Sequence, residues 1–364
     1  MRTPLRVLVA FKEGDTDNLF VETLCRGIAG LGVDITYSTE RFWNEEQASY
    51  DIVHLQWPEE LVGWSCDTPE IVDRLRLRIG YWRNKGARIV YTRHNLRPHY
   101  ANPYIKAAYD VVEQAADVVV HMGEYSYNEF LAEHPQSCNR IIPHHLYEDT
   151  YPQDLSPEVA RRKLGIGRTK FVLTAFGKFR NREEVSMVLS AWLHTHLPGK
   201  YLLAPRLLPF YRKPWYRQVT KRWVSQIAYH TLIPLARLWH IRAGSNEDIV
   251  SNDCLPYYLA ASDVVMVQRK EILNSGNVPL GFLFGKVVIG PDTGNVGPLL
   301  RQTGNPTFDP DSTKSIVRAI EDAYRLRLAG HGEANYRYAQ EHFGLEQISR
   351  AYVAAYEEAR AMKL

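Results

Sequence analysis

The stretch KFVLTAFGKFRNREE, residues 170–184, decides the architecture of the chain. Residues 170–176 are an apolar run of strand length, 177–182 form a loop of Gly, Lys, Phe, Arg, Asn and Arg, and 183–192 have helical period. A buried strand that feeds a polar loop and then a helix is the repeating unit of an α/β fold. The same order recurs outward from it. Downstream, ASDVVMV (261–267) and KVVIG (286–290) read as buried strands, and 313–328 and 333–343 as helices. Upstream, 5–10, 33–37, 51–56, 87–91, 116–121 and 140–143 read as strands, with helices at 19–31 and 71–85. The expected class is therefore α/β with two doubly wound parallel sheets. A Pro-dotted stretch (Pro152, Pro157) separates an N-terminal unit, 1–155, from a C-terminal unit, 156–344. The final helix, 345–364, is open to packing on either.

Composition bounds the function. With 364 residues, 45% of them hydrophobic, the chain has material for two cores. Lys plus Arg (44) nearly balance Asp plus Glu (41), so no global charge calls for nucleic acid. Cys25, Cys66, Cys138 and Cys254 stand singly, without zinc or disulfide spacing, which suits a reducing compartment. No run of about 18 apolar residues and no cleavage signal is visible, so the expected location is the cytoplasm.

Residues 200–242 break the alternation. Lys200, Arg206, Arg212, Lys213, Arg217, Lys221, Arg222, Arg237 and Arg242 are interleaved there with Tyr201, Phe210, Tyr211, Trp215, Tyr216, Trp223, Tyr229 and Trp239, and no acid intervenes. Cations beside aromatics suit lipid phosphates and the headgroup layer, which makes the inner face of an anionic membrane one expected partner. A long helical insertion with a solvated basic face is the bland alternative. Nucleic acid is not expected, because no recognised binding module surrounds the stretch.

In doubly wound sheets ligands bind beyond the carboxyl ends of the strands. Polar groups gather after two N-terminal strands: His54, Gln56, Trp57, Glu59 and Glu60, then Arg93, His94, Asn95, Arg97 and His99. His94 is a candidate general base or ligand to a sugar hydroxyl, set against the plainer possibility of a histidine locked at a strand end. In the C-terminal unit, Gly177, Lys178 and Arg182 point cations toward an anion near a helix start. Asn274, Ser275, Gly276 and Asn277 offer amides at another, following Glu271, and 290–297 is a Gly-rich loop. None is a Walker or G-x-G-x-x-G sequence.

Taken together, FVLTAFGKFRNREE, SNDCLPYYLAASDVVMVQRKEILNSGN and FGKVVIGPDTGNVGPLL resemble the nucleotide-sugar domain of GT-B glycosyltransferases, especially the retaining family 4. DIVHLQWPEE, ARIVYTRHNLRPHY and ADVVVHMGEYS resemble the acceptor-side domain of the same enzymes. The resemblance implies two Rossmann-like domains facing a cleft, with the last helix crossing back to the first. It also implies a nucleoside diphosphate sugar as donor, a glycan or lipid-linked glycan hydroxyl as acceptor, and no cofactor or metal. Lys178 and Arg182 then hold the donor diphosphate, and His94 or Glu59 is the base of an inverting course while His94 binds the donor sugar in a retaining one. Glu271 approximates the first of two family carboxylates, while Leu280 stands where the second, the ribose ligand, is expected. The resemblance leaves open retention or inversion, a nucleotide-sugar epimerase, and a catalytically silent carbohydrate-binding protein.

Overall fold

A computed structural model describes residues 4–14, 18–66, 68–98, 102–208, 219–246 and 248–362. Its chain separates into two units, 1–145 with 342–364, and 146–341.

The first unit holds a six-stranded sheet of β1 (Arg6–Ala10), β2 (Asp34–Tyr37), β3 (Ile52–Leu55), β4 (Arg88–Arg93), β5 (Val118–His121) and β6 (Asn139–Ile141), in the order β2-β1-β3-β4-β5-β6. Every pairing is parallel. β3, β4 and β5 are buried along their whole length, which is why they read as continuous apolar runs rather than alternating ones. Leu8, Val53, Ile89 and Tyr91 face one layer of helices, including Glu70–Asn84 and Pro103–Ala115. Val7, Val9, Ile52 and Val90 face the other, formed by Phe20–Ala29 and the final helix Leu345–Ala361. Those two helices approach so closely that a Cβ on Gly27 would stand 2.3 Å from Ser349 Oγ. The last helix thus completes the first core.

The second unit holds β7 (Phe171–Thr174), β8 (Lys200–Leu208), β9 (Ile241–Ser245), β10 (Val264–Met266), β11 (Val287–Pro291) and β12 (Thr307–Phe308), in the order β12-β11-β10-β7-β8-β9. Its pairings are parallel as well. The unit starts at Leu146, ahead of the prolines near 155, because Leu146, Tyr147 and Tyr151 are buried and Tyr151 donates a 2.7 Å hydrogen bond to Asn252 Oδ1.

Residues 200–242 are not one insertion, as the composition suggested. Their ends are β8 and β9, where Leu202, Leu203, Ala204, Leu207 and Ile241 are buried, and the helix Val219–Ala236 is the crossover between them. The cations on these strands are spent on carbonyls. Lys200 Nζ lies 2.6 Å from the oxygens of Trp192 and Thr195, and Arg206 holds the Asn246 oxygen. Phe210, Tyr211, Arg212, Lys213, Trp215, Tyr216 and Arg217, like His99, lie outside the described residues.

Each sheet order reverses direction once. In the first unit the chain runs outward both ways from the β1/β3 pair, and in the second from the β7/β10 pair. These switch points are where loops diverge and leave a crevice.

Candidate functional site

The loops after β7 and β10 flank the second switch point, and their geometry is built from the strand ends upward. Phe179 is buried beneath the first loop and Asn246 clamps it, accepting from the Phe179 amide at 3.0 Å and donating to its carbonyl at 2.8 Å. Asn181 then caps the helix Arg182–His194 by accepting from the Glu184 amide at 2.9 Å. Glu184 turns back beneath the loop, buried, and accepts from the Arg180 amide at 2.7 Å and from Arg269 Nη1 at 3.0 Å. The anchor frees the rim. Lys178, Arg180 and Arg182 all stand exposed around it. Burial pulls the Arg269 guanidinium down to about 10, and Arg180 and Arg206 act in the same direction against Glu184. Lys178, Arg180 and Arg182 give the exposed rim a run of cations suited to an anion.

Gly177 marks a close approach between the first loop and the second. Its backbone is not in the left-handed region, so the glycine is there for space. A Cβ would stand 2.7 Å from Gln268 Nε2 and 3.6 Å from Asn277 Nδ2. Gln268 follows β10, is 1% exposed, and its Nε2 finds no hydrogen-bond partner among the described residues. Two side-chain amides therefore converge on one glycine, one of them an unspent buried donor.

The third loop, after β11, packs against the second. Gly294, at φ +54°, leaves only 2.2 Å between a would-be Cβ and the Ile272 carbonyl oxygen, so no side chain fits. Asn295 donates its backbone amide to Leu273 at 2.8 Å and its side-chain amide to Asn274 Oδ1 at 2.7 Å. Ser275 Oγ accepts from the Asn277 amide at 3.3 Å, and Gly276 precedes the helix Asn277–Leu283. That helix has seven residues, so the loop amides contribute more here than a macrodipole. Glu271 is exposed, and Leu280 is buried in the helix.

The structure thus brings Gly177 and Asn277 together, adds Gln268, and sets Asn274 against Asn295. Lys178, Arg182 and Glu271 stand exposed at the edges of the same loops. Gln268 could have been found in the sequence as the first polar residue after ASDVVMV; Asn246 and Glu184 carried no such signal.

In the first unit His94 is buried. Its ring stacks on Trp57, with centroids 3.6 Å apart, and meets the Phe20 ring edge-on at 5.1 Å. Nε2–H donates to Gln56 Oε1 at 2.7 Å. Below Gln56, His54 bridges Thr92 Oγ1 (2.8 Å) and Tyr356 Oη (2.7 Å), so the final helix braces the same network. Burial, with the fields of His144 and His54, holds the His94 pKa well below the ordinary histidine value, which keeps the ring neutral and a weak base. Glu59 is turned inward, 1% exposed, with Tyr109 Oη 3.0 Å from both carboxylate oxygens and its pKa raised by burial. It does not reach the rim. Arg93 is likewise buried, in ion pairs with Glu113 and Glu129. Among the described residues no group of three His, Cys, Asp or Glu is placed to hold a metal ion.

Solved structures with the same arrangement span nearly the whole chain. Sucrose-phosphate synthase from Thermosynechococcus elongatus superposes with a TM-score of 0.68 at 14% identity, covering 98% of this chain and 99% of that one. The fold is GT-B. HepE of Anabaena in complex with UDP-glucose (TM-score 0.65, 13% identity, 97% and 99% covered) shares this GT-B arrangement. So does the catalytic domain of starch synthase IV from Arabidopsis thaliana bound to ADP and acarbose (0.66, 11%, 99% and 100%). No protein-family model and no curated protein sequence matches the chain. The likeness therefore lies in the GT-B backbone.

Proposed function

We propose that this protein is a glycosyltransferase that moves a sugar from a nucleoside diphosphate to a hydroxyl of a lipid-linked or polysaccharide acceptor. The observation that carries the reading is the convergence of Gln268 and Asn277 on Gly177, at the β7/β10 switch point, beneath exposed Lys178, Arg180 and Arg182. Neutral amide donors in a tight cradle under a cationic rim match a diphosphate, which needs short hydrogen bonds and charge neutralisation together. Donor-bound GT-B neighbours, HepE with UDP-glucose among them, support the ligand class.

In the reaction the acceptor oxygen bonds to the anomeric carbon as the bond from that carbon to the diphosphate oxygen breaks. Negative charge then grows on the leaving phosphate, where Lys178, Arg182 and the Gln268 and Asn277 amides stabilise it. Removing one such charged donor costs about 3 kcal/mol of transition-state stabilisation. A His94 ring that is neutral and weakly basic is poorly suited to proton abstraction. On that reading the acceptor proton passes to the leaving diphosphate and configuration is retained, as in family 4. Glu271 is assigned to the donor sugar. No metal takes part in this scheme.

The test is thermal denaturation with UDP-, GDP- and CMP-linked sugars, followed by transfer assays with and without EDTA. A ligand at about 100 times its dissociation constant should raise stability by about 2.7 kcal/mol. A chain that responds to no nucleotide, or a transfer that EDTA abolishes, overturns the corresponding part of the scheme. Isomerised donor without acceptor would show an epimerase instead.

A further inference from the structure

The helix Val219–Ala236, continued by the turn Arg237–Trp239, is apolar on the side that should face water. Ala236 packs against the second core, and Tyr229 and Ile233 are half-buried on the same side. The outward side carries Trp223 (62% exposed), Ile227 (59%), Leu235 (44%) and Leu238 (73%) on one stripe, with exposed Thr231 between Ile227 and Leu235 donating its hydroxyl to the Ile227 carbonyl at 2.8 Å. Trp239 and Leu232 are exposed beside it. A surface helix ordinarily gives that side to charged residues, so a stripe of this kind marks a contact surface.

Charge says which contact. The sequence from Lys200 to Ser245 contains no Asp or Glu. Lys200, Arg206 and Arg242 are bound to backbone carbonyls, but Arg237 is exposed beside the stripe; in the sequence Lys221 and Arg222 come just before Trp223. A second copy would bring the same cations against themselves. An anionic bilayer offers phosphates to the cations and acyl chains to the stripe, with Trp223 and Trp239 at the headgroup level. No described helix is long and apolar enough to cross a membrane, so this one lies in the surface plane.

We propose that the outward side of this helix is a docking element for an anionic lipid surface, held by insertion of Trp223, Ile227, Leu235 and Leu238 and oriented by the flanking cations. The contact differs from the one composition suggested. It is a narrow apolar stripe on one helix rather than cations and aromatics interleaved over the whole of 200–242, and it stands apart from the nucleotide reading.

The experiment uses the full chain with vesicles of phosphatidylcholine, alone or mixed with phosphatidylglycerol. The wild type should pellet with the mixed vesicles, show blue-shifted tryptophan emission, and be only partly released by high salt. Ile227→Glu with Leu235→Glu should lower partitioning about tenfold or more while leaving the melting temperature unchanged, because both positions are exposed. A wild type that ignores mixed vesicles, or a double variant that partitions as well as the wild type, overturns the proposal. So does light scattering that shows a wild-type dimer, split by the double variant, with no vesicle effect: the stripe would then bind a second copy.

Discussion

Gln268 supplies the sharpest test of the candidate site, because one substitution should move stability and binding in opposite directions. Its side chain is buried and its Nε2 is unpaired among the described residues, which costs about 1–3 kcal/mol of desolvation. Gln268→Met keeps the length and discards the donor. The free protein should therefore gain about 1 kcal/mol in urea unfolding. A hydrogen bond to a charged phosphate oxygen is worth about 1.5–3 kcal/mol, so nucleotide affinity measured by calorimetry should fall about 10- to 150-fold. Gly177→Ala reaches the same amide from the other side. Its Cβ, 2.7 Å from Nε2, forces the amide out of the cradle without straining the backbone, and affinity should drop with little change in stability. If Gln268→Met destabilises the protein and leaves nucleotide affinity intact, the amide is a packing group and the site lies elsewhere.

Other outcomes follow from buried charge and protonation. Burial lowers His54 to about 3 and His121 to about 4, from 6.5, so on acidification the unfolded chain takes up protons before the folded one does. Stability should fall as pH drops below about 6.5, by about 1.4 kcal/mol per pH unit for each such histidine, and His54→Gln should reduce that slope in urea titrations at several pH values whatever it does to stability itself. Asp263 accepts from Arg161 Nη2 at 2.8 Å, Arg327 Nε at 2.9 Å and the Val172 amide at 2.8 Å; Asp263→Ala, which leaves the buried Arg161 without a counter-charge, should cost about 3–5 kcal/mol in chemical denaturation. Gln56→Leu removes the acceptor of His94 Nε2–H and should lower turnover about tenfold, whereas Gln56→Glu should restore part of it and move the acid limb of the pH–rate profile upward, because a carboxylate raises the ring's pKa. An unchanged profile for Gln56→Glu would remove Gln56 from the positioning of His94.

Much of the fold was legible because parallel strands buried on both faces leave continuous apolar runs, and KFVLTAF, ARIVY and KVVIG all lie on such strands. The positions of the loops that follow them were legible for the same reason, since the end of a run fixes where the next loop begins. What the sequence hid depends on distant partners. Lys200 and Arg206 made β8 look like an exposed basic element, yet carbonyls of Trp192, Thr195 and Asn246 absorb them. Glu59 reads as a rim carboxylate until Tyr109, fifty positions on, is seen to hold it inside. The order of strands, and with it the two switch points, is a matter of pairing that no local pattern records.

The loops after β7 and β10 combine two kinds of group that act over different ranges. Lys178, Arg180 and Arg182 are exposed, so their field reaches into solvent but fades within about 8 Å at physiological salt. Gln268 and Asn277 lie at the floor, where salt screens little and a hydrogen bond has to be broken for a ligand to leave. Attraction and retention should then separate kinetically. Lys178→Ala should slow nucleotide association and flatten its salt dependence, with a smaller effect on dissociation, while Gln268→Met should speed dissociation and leave association close to wild type. Leu280 sharpens the expectation. With a buried leucine where the resemblance leads one to look for a ribose-binding carboxylate, less negative charge opposes the cations, and binding should lean more heavily on the diphosphate than on the ribose. Nucleoside monophosphates should accordingly bind far more weakly than diphosphates in stopped-flow and calorimetric measurements. Equal affinity for the two would place the recognition in the nucleoside and contradict the charge argument.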